Sequence, residues 1–258
     1  MKLAVISDIH ITEDVKEKAF QKLEKTVPEI QSQNPDLVIV LGDMIGGAVT
    51  TGKEAPEETE GLEELRKVRD IIEEVDAETL YLRGNHEQDV EKHEFAEVFN
   101  QETYGVKQVK EENFIYLDSS APELSGSRGQ VSREQLDFLD EKLEELEDAF
   151  LIIHHPIHFR DLSHSYYWDV YPERAFCGNK KEINNVIEKH GNVKAVLNSH
   201  IHDLNLEEFK DNFHFTNPPF ISESRDEGFY EYFSVMEAGE EIGLKVYGEG
   251  ELDESFEI

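Results

Sequence analysis

Eight side chains able to hold a metal ion or move a proton stand at the ends of five apolar runs in this sequence. Asp8 and His10 follow Leu3–Ile6, Asp43 follows Leu37–Leu41, and Asn85 and His86 follow Thr79–Leu82. His154 follows Phe150–Ile153, and His200 and His202 follow Val193–Leu197. Carboxylate, imidazole and carboxamide groups without a thiolate suit Mn, Fe or Zn better than copper or a closed structural zinc site. A central Asp could bridge two ions. Two ions about 3.5–4 Å apart clamp the attacking and leaving oxygens of an in-line displacement at phosphorus. The chemistry implied is hydrolysis of a phosphate ester. Any one of these residues alone is explained by ordinary folding, as a His satisfied by a carbonyl or an Asp in a turn. Five coincidences exceed what core packing produces.

The apolar runs themselves read as short strands buried on both faces. Residues two apart near a strand point the same way, so Asp8 and His10 can converge. In an open α/β sheet, ligands bind beyond the carboxyl ends of the strands. Gly84 lets the chain turn sharply, which aims Asn85 and His86 across the sheet end. Between the strands, a helical pattern runs from Thr12 to about Val27 and is interrupted by Pro28. Gly46–Thr59 reads as a mobile loop, and Leu62–Val75 as a helix. Residues 90–104 look helical and peripheral. Phe114–Leu117 forms a further strand ending at Asp118.

Ser132 and Gln135 make a capping box, with Leu136, Leu139, Leu143 and Leu146 as the stripe of the helix behind it. Residues 157–178 are irregular and aromatic, and their place after a ligand-bearing strand favours a lid or substrate wall. A helix opens at Asn179 and closes at Gly191. Phe229–Val235 and Ile242–Tyr247 read as antiparallel strands, with a loose acidic tail from about residue 248. The rhythm is that of a single α/β domain over residues 1–258.

Fifty-eight acidic residues face twenty-five basic ones, a formal net charge of −33. Such a field repels polyanions. It reads either as a strongly solvated surface or as adaptation to high salt, where a Debye length of about 3 Å at 1 M screens the repulsion. Cys177 is the only cysteine, so no intrachain disulfide forms and no thiolate cage is built, as expected in a reducing compartment. No signal peptide is read at the N-terminus, and no run approaches the roughly 18 apolar residues of a membrane span. The expected location is the cytoplasm.

Asp8-Ile9-His10, Gly42-Asp43, Gly84-Asn85-His86-Glu87, His154-His155-Pro156 and His200-Ile201-His202 resemble, in order and spread, the motifs of the calcineurin-like metallophosphoesterases. The resemblance covers residues 3–202 and implies a four-layer α/β/β/α sandwich with two central mixed sheets. It implies Asp8, His10 and His202 on a first divalent or trivalent transition-metal ion (Mn, Fe or Zn, with Mn for activity), and Asn85, His154 and His200 on a second. Asp43 would bridge them. It further implies that a metal-bound hydroxide attacks while His86 assists the leaving group. His155 and Arg83 become substrate candidates beside Asn85, with a surface ion pair as the competing reading for Arg83. Glu87 stands where many relatives have Asp, and Ser199 where the last motif usually has Gly. The His-His-Pro form is most similar to the cyclic-nucleotide and glycerophosphodiester phosphodiesterase branch.

The expected substrate is therefore a small phosphodiester. A phosphomonoesterase and a DNA end-processing nuclease compete within the same chemistry. The nuclease needs cations to neutralise phosphates, and a chain at −33 without a basic cluster argues against it. A non-catalytic metal-binding scaffold is the alternative of another class. The expected partners are a small phosphate ester and, through the aromatic residues 159–176, a second copy in a homodimer; neither nucleic acid nor a membrane is expected.

Overall fold

Alternation along the strands decides the layers. In β1 (Lys2–Ile6), Leu3 and Val5 join one core cluster while Ala4 and Ile6 join another. β2 (Leu37–Val40) and β3 (Glu78–Tyr81) divide the same way, with Leu37, Ile39 and Leu80 on one side and Val38, Val40 and Tyr81 on the other. β5 (Glu112–Leu117), β8 (Ala149–Ile153) and β9 (Val193–Asn198) send Phe114, Tyr116, Phe150, Ile152, Ala195 and Leu197 into the cluster shared with Leu3 and Val5. That shared cluster lies between two sheets, and each sheet carries helices on its outer face. This is a computed structural model, and it describes residues 1–13, 16–46, 60–122, 124, 126–163, 165–220, 232–239, 242–248 and 255–257.

The first sheet has the order β14-β13-β12-β1-β2-β3, where β12 is Tyr232–Ala238, β13 Ile242–Gly248 and β14 Ser255–Glu257. β1, β2 and β3 are parallel, and β12 runs antiparallel to β1. The second has the order β10-β11-β9-β8-β5-β4, with β4 at Gly105–Val109, β10 at Asn205–Phe209 and β11 at Asn212–Thr216. β5, β8, β9 and β11 are parallel there, and β4 and β10 are antiparallel edges. A two-stranded piece joins β6 (Ser120–Ala121) to β7 (Gln130–Val131). Helices α1 (Lys16–Ser32), α2 (Glu60–Ile72) and α3 (Lys92–Phe99) cover the first sheet. α4 (Arg133–Glu145) and α7 (Lys180–His190) cover the second. The architecture is the four-layer α/β/β/α sandwich with two mixed sheets. Among the described residues, no helix is long and apolar enough to cross a membrane.

Several local expectations give way to tertiary packing. Pro28 does not stop α1: it faces solvent, and the fully buried Ile30 anchors the turn beyond it, offsetting the lost backbone hydrogen bond. α3 is not peripheral, because Phe95, Val98 and Phe99 all enter the core, and the chain behind it is strand β4. A β10–β11 hairpin that no apolar run announces forms one edge, and the tail is not wholly loose, since β14 pairs with β13. Of the expected mobile loop, residues 47–59 lie outside the described ones. Residues 157–178 are more ordered than an irregular loop. They hold α5 (Tyr166–Val170) and α6 (Pro172–Ala175) and bury Leu162, Trp168 and Phe176.

Candidate metal centre

The turns that follow the parallel strands meet at one end of both sheets. Beyond β1 and β2 the backbone ladder continues, with Asp8 N–H donating to Gly42 O at 3.0 Å and His10 N–H to Asp43 O at 3.0 Å. Asp8, His10, Asp43, His200 and His202 all adopt left-handed backbone, with φ of 52°, 50°, 50°, 71° and 61°. Such conformations cost of order 1–3 kcal/mol each for residues with a Cβ and persist only where the surroundings impose them. Strain of this kind, gathered in five polar residues at one spot, marks a site shaped for a ligand.

Asp8, His10 and His202 place ligand atoms within 4.8 Å of one another. Their Nε2 atoms are 2.9 Å apart for His10 and His202, and His202 Nε2 is 3.5 Å from Asp8 Oδ1. Asp43 is the centre of the set. Its Oδ1 accepts the His86 backbone N–H at 2.9 Å, which aims Oδ2 at His154 Nε2 (3.2 Å), His86 Nε2 (3.9 Å) and His10 Nε2 (4.0 Å). Gly84 makes the approach possible: a Cβ there would stand 2.1 Å from Asp43 Oδ1. His154 and His200 gather on the far side together with His155.

Backbone acceptors set the tautomers. His154 Nδ1 donates to Leu41 O at 2.7 Å, which turns its Nε2 toward Asp43. His200 Nε2 donates to Arg174 O at 2.9 Å, leaving Nδ1 to bind. Both Asp8 carboxylate oxygens, Asn85 Oδ1, His154 Nε2 and His200 Nδ1 are buried without a hydrogen-bond partner. Each such orphan costs roughly 1–3 kcal/mol, and cations at the two ends of Asp43 would satisfy all of them. The donors fit a dinuclear centre.

Electrostatics agree with ligand duty. Burial, followed by the neighbouring His202 and His86, holds His10 down at about 3, and burial with His154 does the same for His200. Both rings are neutral, as metal binding requires. Burial would also lower His154, but Asp43 outweighs it and raises the imidazole to about 9. Asp43, despite burial, is held well below the ordinary carboxylate range by His154 and His86.

Other residues take roles that motif reading did not assign. Arg83 is not a surface cation. It is fully buried, pairs with Asp118 at 3.2 Å, and donates to Glu87 O (2.9 Å) and Val90 O (3.0 Å), because the turn needs its carbonyls satisfied in the interior. Glu87 is the other brace. Its carboxylate accepts the backbone N–H groups of Asp43, Met44, Ile45 and Gly84 at 2.7–3.1 Å, locking the second and third turns together. The Asp118 that ends β5 was the available signal for this pair.

His155 is buried beside the second cluster, and its backbone N–H donates to Ser119 Oγ at 3.2 Å. Ser119 Oγ is 2.7 Å from His155 Nδ1. Ser119 therefore fixes the His155 ring from two directions, through its backbone N–H and through Nδ1. Ser199 keeps φ outside the left-handed region and donates to Leu41 O at 3.3 Å, so glycine is not needed there. Trp168 donates to Ile201 O at 3.0 Å and lies 4.8 Å from the His200 ring, so the α5–α6 segment walls the last motif.

A family model described as calcineurin-like phosphoesterase matches residues 1–204. A comparison with curated proteins gives no match. Among solved structures, the chain is similar to a dimetal phosphatase from Danio rerio, with a TM-score of 0.72 and 14% identity over 100% of this chain and 98% of that one. It is also similar to the purple acid phosphatase PPD1 from yellow lupin, Lupinus luteus (TM-score 0.68, 10% identity), covering 100% of this chain and 53% of that one. A third similar structure is GAP50, the anchor in the inner membrane complex of Plasmodium (TM-score 0.56, 12% identity, 100% of this chain and 88% of that one). At these identities the structural likenesses speak for the fold alone.

Proposed function

The chain belongs to the calcineurin-like phosphoesterases, hydrolases of phosphate esters, and from that premise we propose that it cleaves a small phosphodiester at a dinuclear transition-metal centre. The observation that carries this reading is the set of orphaned ligand atoms from four strand ends around Asp43. Asp8, His10 and His202 would hold one ion and Asn85, His154 and His200 the other, with Asp43 between them. Mn is the ion we propose for activity, since the donors are oxygen and imidazole without thiolate. When bound, such a pair supplies Lewis acidity and a water of lowered pKa.

The chain's own residues do the rest. His86 stands at the rim, its ring 4.8 Å from that of His10 and 7% exposed, where it can hold a proton for the leaving oxygen. Its backbone N–H keeps Asp43 turned, so ligand geometry and proton donor are set by one turn. His155 lies buried on the far side, grouped with His154 and His200.

The arginines beside the site support a diester over a monoester dianion. Arg83 is committed to Asp118, Arg160 to Asp203, and Arg174 to the Tyr167 hydroxyl. With part of their charge already answered inside the fold, these arginines suit a singly charged phosphodiester. A phosphomonoester is the second reading, supported by the two phosphatases among the similar structures. The exposed Phe159, Tyr167, Val170 and Tyr171 near the wall are proposed to meet the substrate's organic group or a second copy of the chain. The cytoplasm remains the proposed location, supported by the single, buried Cys177. A screen of nitrophenyl mono- and diesters with Mn²⁺ tests the reading. Diester hydrolysis at least about tenfold faster is expected, and no hydrolysis of either class would overturn it in favour of a scaffold.

A further inference from the structure

The first two ligand turns hold each other, through the backbone bonds from Asp8 to Gly42 and from His10 to Asp43. The last turn is held differently. Ser199 N–H donates to His154 O at 3.0 Å and anchors its start, and the closing bond from Ile201 N–H to Ser199 O at 2.8 Å stays within the turn itself. His200 and His202 nonetheless keep left-handed backbone on either side of Ile201, with φ of 71° and 61°. At residues with a Cβ such backbone persists only where the surroundings impose it.

Residues 160–174 supply those surroundings. Arg160 pairs with Asp203, Trp168 Nε1 donates to Ile201 O at 3.0 Å, and Arg174 O accepts from His200 Nε2 at 2.9 Å, so the two segments meet in opposite order. Apolar packing joins them as well. Leu162, Trp168, Ala175 and Phe176 form one buried cluster together with Ile201, which makes a residue of the metal motif the keystone of the segment's own small core. The Trp168 ring lies 4.8 Å from that of His200. Arg160 and Trp168 are each only 7% exposed. A guanidinium and an indole N–H are costly to bury without partners, and both place a bond on the last turn. A wall that only contacted substrate would need none of these bonds to a ligand turn.

We propose that residues 160–174 form a clamp that positions the last ligand turn, with Trp168 aiming His200 and the Arg160–Asp203 pair aiming His202 at their ions. Trp168, Arg160 and Asp203 are positioning residues that act through the two histidines. The proposal rests on the dinuclear reading of the site. It makes metal retention and the exposed aromatic face of Tyr167 and Tyr171 properties of one folded unit.

The test titrates Mn²⁺ into the chelator-stripped full chain by calorimetry and follows the emission of Trp168, the only tryptophan. The parent chain should bind two Mn²⁺, and the paramagnetic ion beside His200 should quench that emission. W168F keeps an aromatic ring and removes the N–H, and D203N changes a side chain that is 24% exposed. Each should weaken one of the two binding steps by about tenfold to a hundredfold, the usual cost of losing a group that orients a metal ligand. If W168F does not fold, D203N alone decides. A purely structural wall would instead lower the urea midpoint of the stripped chain and leave both binding steps unchanged, and that result overturns the clamp. So does emission that Mn²⁺ leaves unchanged while calorimetry counts two bound ions. A parent chain that takes up no Mn²⁺ overturns the dinuclear reading itself, and the clamp falls with it.

Discussion

Replacing Arg83 with Met separates a bracing role from a substrate contact. The substitution roughly keeps the side chain's length and removes its charge, stranding the Asp118 carboxylate, whose side chain is 0% exposed. Breaking a buried pair by removing one partner costs about 3–5 kcal/mol, because an uncompensated charge stays behind. The carbonyls of Glu87 and Val90 lose their donor in the same step, which places the cost toward the upper end of that range. With a urea m-value of about 3 kcal/mol/M for a chain of this size, the midpoint should fall by roughly 1–1.7 M. Pairing R83M with D118N should recover more than about 1 kcal/mol relative to the sum of the single variants, since the double variant buries no lone charge. The KM of the folded fraction for a diester should stay within about twofold. A KM raised tenfold or more with an unmoved midpoint would refute the reasoning and put Arg83 on the substrate.

His86→Ala should lower kcat by roughly 10²-fold, the usual size of a lost proton donor, with metal content measured by ICP-MS unchanged. Unaltered turnover removes His86 from the mechanism. Gly84→Ala drives a Cβ to within 2.1 Å of Asp43 Oδ1 and 2.5 Å of Asp43 N, so the protein should lose bound metal far more than it loses stability. Full metal content in that variant contradicts the close approach. Metal affinity should rise with pH between 7 and 9, by up to about tenfold per unit, because Asp43 holds a proton on His154 up to about 9 that must leave before Nε2 can bind. Calorimetric Mn²⁺ titrations at pH 7 and 8.5 read the slope, and a flat profile counts against that pairing.

The parts readable from sequence are those where local pattern and global fold agree. Runs such as Leu37–Leu41 are apolar because both faces of their sheets are covered, so their polar ends stand out without any structure. The Ser132 cap is equally local, and its side chain does accept the Gln135 N–H. Failures fall where a distant partner decides. Pro28 is overruled by the burial of Ile30. Asn205–Phe209 lies on the sheet edge with a half-buried face and lacks a strong apolar run. Arg83 looks like a phosphate-binding cation until Asp118, thirty-five residues on, closes over it. Glu87 braces four backbone groups of which three lie more than forty residues upstream, a relation no spacing rule contains.

The central claim, two ions held around Asp43, is tested most directly by anomalous diffraction from crystals of the Mn²⁺-loaded protein. The expected result is two peaks about 3.5–4 Å apart astride Asp43 Oδ2, one against Asp8, His10 and His202 and the other against Asn85, His154 and His200. A single peak, or two peaks that do not share Asp43, would contradict it.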